Sequence, residues 1–247
     1  MELFDLSLPL LAFIAVAAFV TAVMGGVAGI GTAIAMIPLM TFAVGVREAI
    51  PIVAIAVTLN NLGRVAATRH HIDWRVVLWF SIGAVPASVV GGVVFANAPA
   101  DLLARSLGVF LIALVVYRHL PIGNGLTVRS ERLFGFVGVI QGFLSSVFGG
   151  AGPFGAHFFL SYGLYRNAFV GTAAAATSSI NFAKAGTYSS FSLLDGPGFR
   201  LGLAMGVIMI VGAYFGGKLV SRLPDKLFAY IVEGVMLAAA VALLVRT

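Results

Sequence analysis

The sequence predicts an all-α integral membrane protein built from two inverted-topology repeats of about five helical elements each, with short or broken helices after glycine-rich turns. Three observations carry this. Of 247 residues, 60% are hydrophobic and only 10% charged, against roughly 25% charged in a soluble domain, and the mean hydropathy is +1.07. Apolar runs recur along the whole chain in two groups of five. The basic residues of the intervening loops are strongly one-sided when the runs are threaded through a bilayer.

The first five runs are 8–24, 30–44, 48–68, 76–95 and 102–120; the second five are 133–148, 153–165, 168–190, 199–220 and 227–245. The amino terminus carries Glu2 and Asp5 but no Lys or Arg, the wrong sign for a secretory leader, so the first run is read as a permanent helix. Between the groups lies a basic segment with Pro121, Gly123, Asn124 and Gly125, a natural linker. The expected division is a first membrane repeat over 1–120, a cytoplasmic linker over 121–132 and a second, inverted repeat over 133–247. A shift of 120 places Gly29 on Gly149, Asn61 on Asn181 and Arg64 on Lys184; later a shift of 125 places Gly91-Gly92 on Gly216-Gly217 and Pro99 on Pro224. Ordered matches at a near-constant offset indicate duplication.

An odd number of elements per unit turns the second copy upside down. With ten elements and both termini on the outer face, the inner loops hold Arg69, Arg75, Arg118, Arg129, Arg132, Arg166, Lys218, Arg222 and Lys226, and the outer ones Arg47, Arg105, Arg200 and Arg246. Nine against four is the expected inward bias. Eight crossings would divide the same residues seven to six. The pI of 10.1 is thereby accounted for without nucleic acid, since no basic face with stacking aromatics is visible. The absence of cysteine excludes disulfides and thiol chemistry.

The second run of each unit spans only about 20 Å at 1.5 Å per residue, below the ~30 Å of a bilayer core. Each follows a glycine cluster, 25–32 in one copy and 149–153 in the other, with Pro153 suited to a first helical turn. Two such hairpins entering from opposite faces would bring two helix amino termini, with unpaired N–H groups and positive dipole ends, to one anion near mid-membrane. Close helix packing by small residues is the plainer reading of the same glycines. The third run of each unit supplies polar groups. The expected substrate site comprises Gly29, Gly31, Thr32, Asn60, Asn61 and Arg64 from the first repeat and Gly150, Gly152, His157, Thr177, Ser178, Asn181 and Lys184 from the second, a cation beside hydroxyls and amides being a sound way to hold an oxyanion. Snorkelling of Arg64 and Lys184 to the interface is the competing reading. Gln141, just before the second glycine turn, is a further candidate for substrate contact or for satisfying nearby backbone. Glu233, a carboxylate inside an apolar run, is either paired or, with His157, a proton carrier. Asp73 and Asp195 read as helix caps.

At its glycine turns the chain resembles the TauE/SafE sulfite-exporter family, also called the toluenesulfonate uptake permeases. The matching pieces are Gly26-Val27-Ala28-Gly29-Ile30-Gly31 followed by Pro38-Leu39, then Ile72-Asp73-Trp74-Arg75, and Val147-Phe148-Gly149-Gly150-Ala151-Gly152 in the second half. The chain departs from the family's run of three glycines, with Gly31-Thr32-Ala33 and Ala151-Gly152-Pro153, and has Phe158 where a proline is expected. The resemblance implies movement of sulfite, sulfonates or related small anions across the cytoplasmic membrane. The expected activity is therefore secondary transport by alternating access, with proton coupling as one form of it; a passive anion channel and a carboxylate transporter are the alternatives. An enzyme is not expected, since Ser145, Ser146 and His157 form no nucleophile elbow and no metal-ligand cluster exists. No cofactor is called for. The expected partners are a small anion and lipid, and a homo-oligomer is compatible with the sequence.

Overall fold

A computed structural model describes residues 7–28, 32–119, 128, 130–219 and 225–245. The chain is all-helical over these residues: α1 (Leu8–Ala28), α2 (Thr32–Val44), α3 (Val46–Thr68) with a 3-10 turn at Arg69–His71, α4 (Trp74–Asn97), α5 (Ala100–His119), α6 (Leu133–Phe148), α7 (Gly152–Ser161), α8 (Arg166–Ser190), α9 (Gly196–Leu219) and α10 (Asp225–Val245). Ten helices thus match the ten apolar runs. Among the described residues, α3, α4, α5 and α9 are long and apolar enough to cross a membrane by length and composition. α3 is the central one, 67% buried over its apolar window against 39% for the other three. The outward faces of α4, α5 and α9 carry Leu78, Val109, Val207 and Tyr214, all more than half exposed, as lipid-facing surfaces do.

Local chemistry explains the helix starts. Asp73 Oδ1 accepts from the backbone N–H of Arg75 at 3.0 Å and of Val76 at 3.2 Å, and Asp195 Oδ1 accepts from Gly198 N–H at 2.7 Å. Both expected caps are present at the starts of α4 and α9. α7 ends at Ser161, four residues earlier than its apolar run suggests, because the chain turns through Gly163 at φ +98.

Exchanging the two groups of five preserves the main helix pairings. α4 packs on α6 as α9 packs on α1; α3 packs on α9 as α8 packs on α4; α3 meets α8, and α5 meets α10. Glycines make the first pair of contacts close. A Cβ on Gly91 would lie 2.9 Å from Ser146 Cβ and 3.2 Å from Phe143 Cα, and one on Gly216 would lie 2.9 Å from Val23 Cα. Gly91 and Gly216 are related by the 125 shift, and Val23 and Phe143 by the 120 shift, so the same contact is made twice.

Direction follows from which ends meet. Thr68, at the end of α3, lies against Gly171 near the start of α8, while Ile52, early in α3, shares a lining with Leu193 and Leu194 just past α8. α5 and α10 likewise run oppositely, with Gly108 against Ala240 and Leu244, and His119 against Glu233. The matched helices α3 and α8, and α5 and α10, are therefore antiparallel where they touch.

The α4/α6 seam gives a stability prediction. A Cβ on Gly138 would fall on the carbonyl oxygen of Phe80, and one on Gly142 would lie 2.5 Å from the carbonyl oxygen of Ala84. Backbone cannot step aside cheaply, so Gly138→Val is expected to destabilise by about 1–3 kcal/mol through overpacking, read as a lower melting temperature in detergent. Gly186→Ala, where a Cβ meets nothing within 4 Å, is expected to be neutral or slightly stabilising.

Candidate functional site

A cavity of about 60 Å³ opens where the two hairpins meet the central helices. From the α2 start come Thr32, Ala33 and Ile34; from the α6–α7 break, Gly149, Gly150, Ala151 and Gly152; from α3, Val57, Asn61 and Arg64; from α8, Ala173, Ala174, Thr177 and Asn181; and from α6 and α7, Gln141, Ser145, Ala156 and Phe159. Val57 and Asn61 of α3 and the lining residues of α8 fall around the middles of those helices, and Arg64 lies four residues before the end of α3. Three pairs related by the shift of 120 line the same void: Val57 with Thr177, Asn61 with Asn181, and Thr32 with Gly152.

The two breaks touch. A Cβ on Gly150 would lie 3.1 Å from Ala33 Cβ and 3.6 Å from the Ile34 nitrogen, and one on Gly149 would fall on the Ile37 side chain. Gly149 ends α6 in the left-handed region, at φ +84, which glycine adopts without steric cost. α7 then starts from Ala151, which makes no side-chain cap, with Pro153 in its first turn. Its first N–H groups and those of α2 therefore open onto a shared space.

The polar side chains divide into those that reach this space and those that do not. Arg64 lines it, with Nη2 donating to Thr32 Oγ1 at 3.5 Å, and among the described residues it has no carboxylate within 4 Å. Asn181 and Gln141 line it while each is only 2% exposed; Asn181 Nδ2 and Gln141 Oε1 have no hydrogen-bond partner. Of the other residues expected at the site, Thr32, Asn61, Gly150, Gly152 and Thr177 line the cavity. Gly29 and Gly31 lie outside the described residues.

Asn60, Ser178, His157 and Lys184 do not line it. Asn60 points elsewhere from α3, fully buried, with neither amide atom partnered. Ser178 Oγ donates to the Ala174 carbonyl one turn back, at 2.8 Å. His157 presents its ring edge to Phe158, with centroids 6.2 Å apart. Lys184 is wholly buried, and its Nζ donates to the carbonyl oxygens of Gly149 at 3.0 Å and Ser145 at 3.3 Å, a cation capping the carboxyl end of α6. Glu233 sits 3.2 Å from His119 Nε2 and lies away from the cavity lining.

Gln141 and Ser145 are the polar lining residues that the expected site omits. The signal for Gln141 was its place on α6 ahead of the glycine turn, and the structure adds the reason for it: Oε1 lies against Gly155 of α7, where any side chain would collide with the amide.

The model of the family described as "Sulfite exporter TauE/SafE" matches residues 14–243. A protein of Sinorhizobium sp named "Probable membrane transporter protein" is 29% identical over 98% of this chain and 94% of its own length. A second of that description, from Methanocaldococcus jannaschii, is 29% identical over 59% of this chain and 58% of its own. No solved structure matches. The match covers both glycine turns, the central helices and the cavity between them, and with it the chain belongs to the TauE/SafE sulfite exporter family and is a membrane transporter.

Proposed function

We propose that this chain carries small sulfur-containing oxyanions, sulfite or short sulfonates, across the cytoplasmic membrane by alternating access, from a site in the cavity between the two helix breaks. The single observation that carries the reading is a guanidinium with no carboxylate beside it among the described residues, set around one void with the starts of two helices and the Asn181 amide, whose Nδ2 has no partner. The guanidinium, the helix starts and the Asn181 Nδ2 group favour negative charge or donate hydrogen bonds to it. Size agrees: on a comparable measure one water takes about 10–15 Å³, so 60 Å³ suits a guest of a few heavy atoms.

Antiparallel packing of matched helices supports two inverted repeats over 1–120 and 133–247, joined by a cytoplasmic linker, with both termini on the outer face. The partners in this reading are the anion and the surrounding lipid, and a proton moving with the anion through Glu233 or His157 is its coupled form. The test is flux into proteoliposomes for sulfite, sulfate, thiosulfate, short sulfonates and carboxylates, with and without an imposed pH gradient. Saturable, counterflow-competent uptake of the sulfur oxyanions supports it; unsaturable conductance makes the protein an anion channel, and preference for carboxylates moves the substrate class.

Gln141 gives a sharper check. Gln141→Leu is expected to weaken sulfite binding by about 1 kcal/mol, roughly fivefold, the net worth of one neutral hydrogen bond, while leaving the melting temperature of the empty protein unchanged or higher. Unaltered sulfite affinity in that variant would remove Gln141 from the site.

A further inference from the structure

Arg64 and Lys184 match at the shift of 120, as do the cavity pairs Asn61/Asn181 and Val57/Thr177. Their side chains nevertheless take opposite courses. Arg64 reaches forward across the first break to Thr32, at the amino end of α2, and lines the cavity. Lys184 reaches back across the second break to the carbonyls of Ser145 and Gly149, at the carboxyl end of α6, and is shut out of the cavity. One molecule therefore displays two discrete settings of the same element, a cation on the cavity side of a broken helix and a cation withdrawn onto its carboxyl end.

We infer that the two cations exchange settings during transport, and that Lys184 is a positioning residue whose capping of α6 holds the protein in the state seen here. In the opposite-facing state Lys184 leaves Ser145 and Gly149 and turns towards the start of α7 at Gly152, the position matching Thr32. Arg64 withdraws towards the carboxyl end of α1, where Gly25 matches Ser145 at the shift of 120. Inverted repeats reach their second state by swapping the conformations of their halves, and a pair of alternative hydrogen-bonded settings is the kind of two-state element that biases such an equilibrium. Neither setting contains a carboxylate among the described residues, so the exchange needs no ion pair to break. It requires only that one set of helix-end carbonyls be capped while the other is released. At each stage one cation stays beside the guest.

This rests on the alternating-access reading, but its test reads sidedness rather than flux. The chain has no cysteine, so Ala173→Cys, on the cavity wall, is a unique reporter. It is labelled with a membrane-impermeant maleimide from either face, in right-side-out and inside-out vesicles. Lys184→Met is expected to shift the ratio of labelling from the two faces roughly tenfold, the worth of one charge-assisted hydrogen bond, and Lys184→Arg to restore it. Arg64→Met is expected to shift the ratio in the opposite direction, and the double variant to return it towards the parent value. Shifts in the same direction, or none in either variant while both remain folded by size-exclusion profile, overturn the inference. Loss of saturable flux in the parent protein would overturn the transport reading instead, and it leaves the labelling ratios to be judged on their own.

Discussion

Replacing Arg64 with methionine is expected to weaken sulfite binding by about 2–3 kcal/mol, roughly 30- to 150-fold, and to abolish uptake at sub-saturating concentration. The size follows from removing a charged donor from a small buried site, where hydrogen bonds to charged groups are worth about 1.5–3 kcal/mol and little water is present to replace them. The same change should not harm the empty protein. Arg64 makes one long contact, 3.5 Å to Thr32, and a desolvated cation without a partner costs free energy in the folded state. Methionine, of similar length and without charge, should leave stability unchanged or raise it. Lys184→Met differs on this count, because it strips the carbonyls of Ser145 and Gly149 of their donor and should lower stability. The pair is separated by isothermal titration with sulfite alongside thermal melting without it. Parent-like sulfite affinity in Arg64→Met would show that the guanidinium does not meet the anion.

Much of this arrangement is legible in the sequence because membrane helices follow hydropathy closely. All ten apolar runs are helices, and the matched asparagines of the third runs, Asn61 and Asn181, do meet at one cavity. Illegible features concern direction rather than identity. Asn60 and Ser178 were expected at the site beside Asn61 and Thr177, yet neighbours in a helix point about 100° apart, and of the polar residues of α3 and α8 Asn61, Arg64, Thr177 and Asn181 line the cavity while Asn60 and Ser178 do not. Lys184 was expected at the site as the match of Arg64 at the shift of 120; the long side chain turns instead onto the end of α6, a choice made by the free carbonyls of another helix. The first break was also set too early. α1 runs through Gly25 to Ala28 rather than stopping at Met24, and Gly25 is there to admit the Thr32 side chain against the helix, so its role is packing within the hairpin.

The break at Gly149 is where a single methyl group should do most damage to function. Its φ of +84 costs an L-residue about 1–2 kcal/mol, and a Cβ there would fall on Ile37 of α2 and lie 3.2 Å from Ile50 Cγ1 of α3. Gly149→Ala therefore both strains the turn and pushes the two hairpins apart, for a combined loss of about 2–5 kcal/mol when the overpacking range is added. It should lower the melting temperature and abolish sulfite flux together. Gly163→Ala separates the causes, since Gly163 has a φ of +98 but open space around its Cβ position, on a turn away from the cavity. That variant should lose stability from strain alone and keep its sulfite affinity. Trimming Ile37 to alanine in the Gly149→Ala background should then recover part of the flux, because it relieves the collision without relieving the strained turn. Flux that stays absent while stability recovers would place the effect in the turn geometry and detach it from the contact between the breaks.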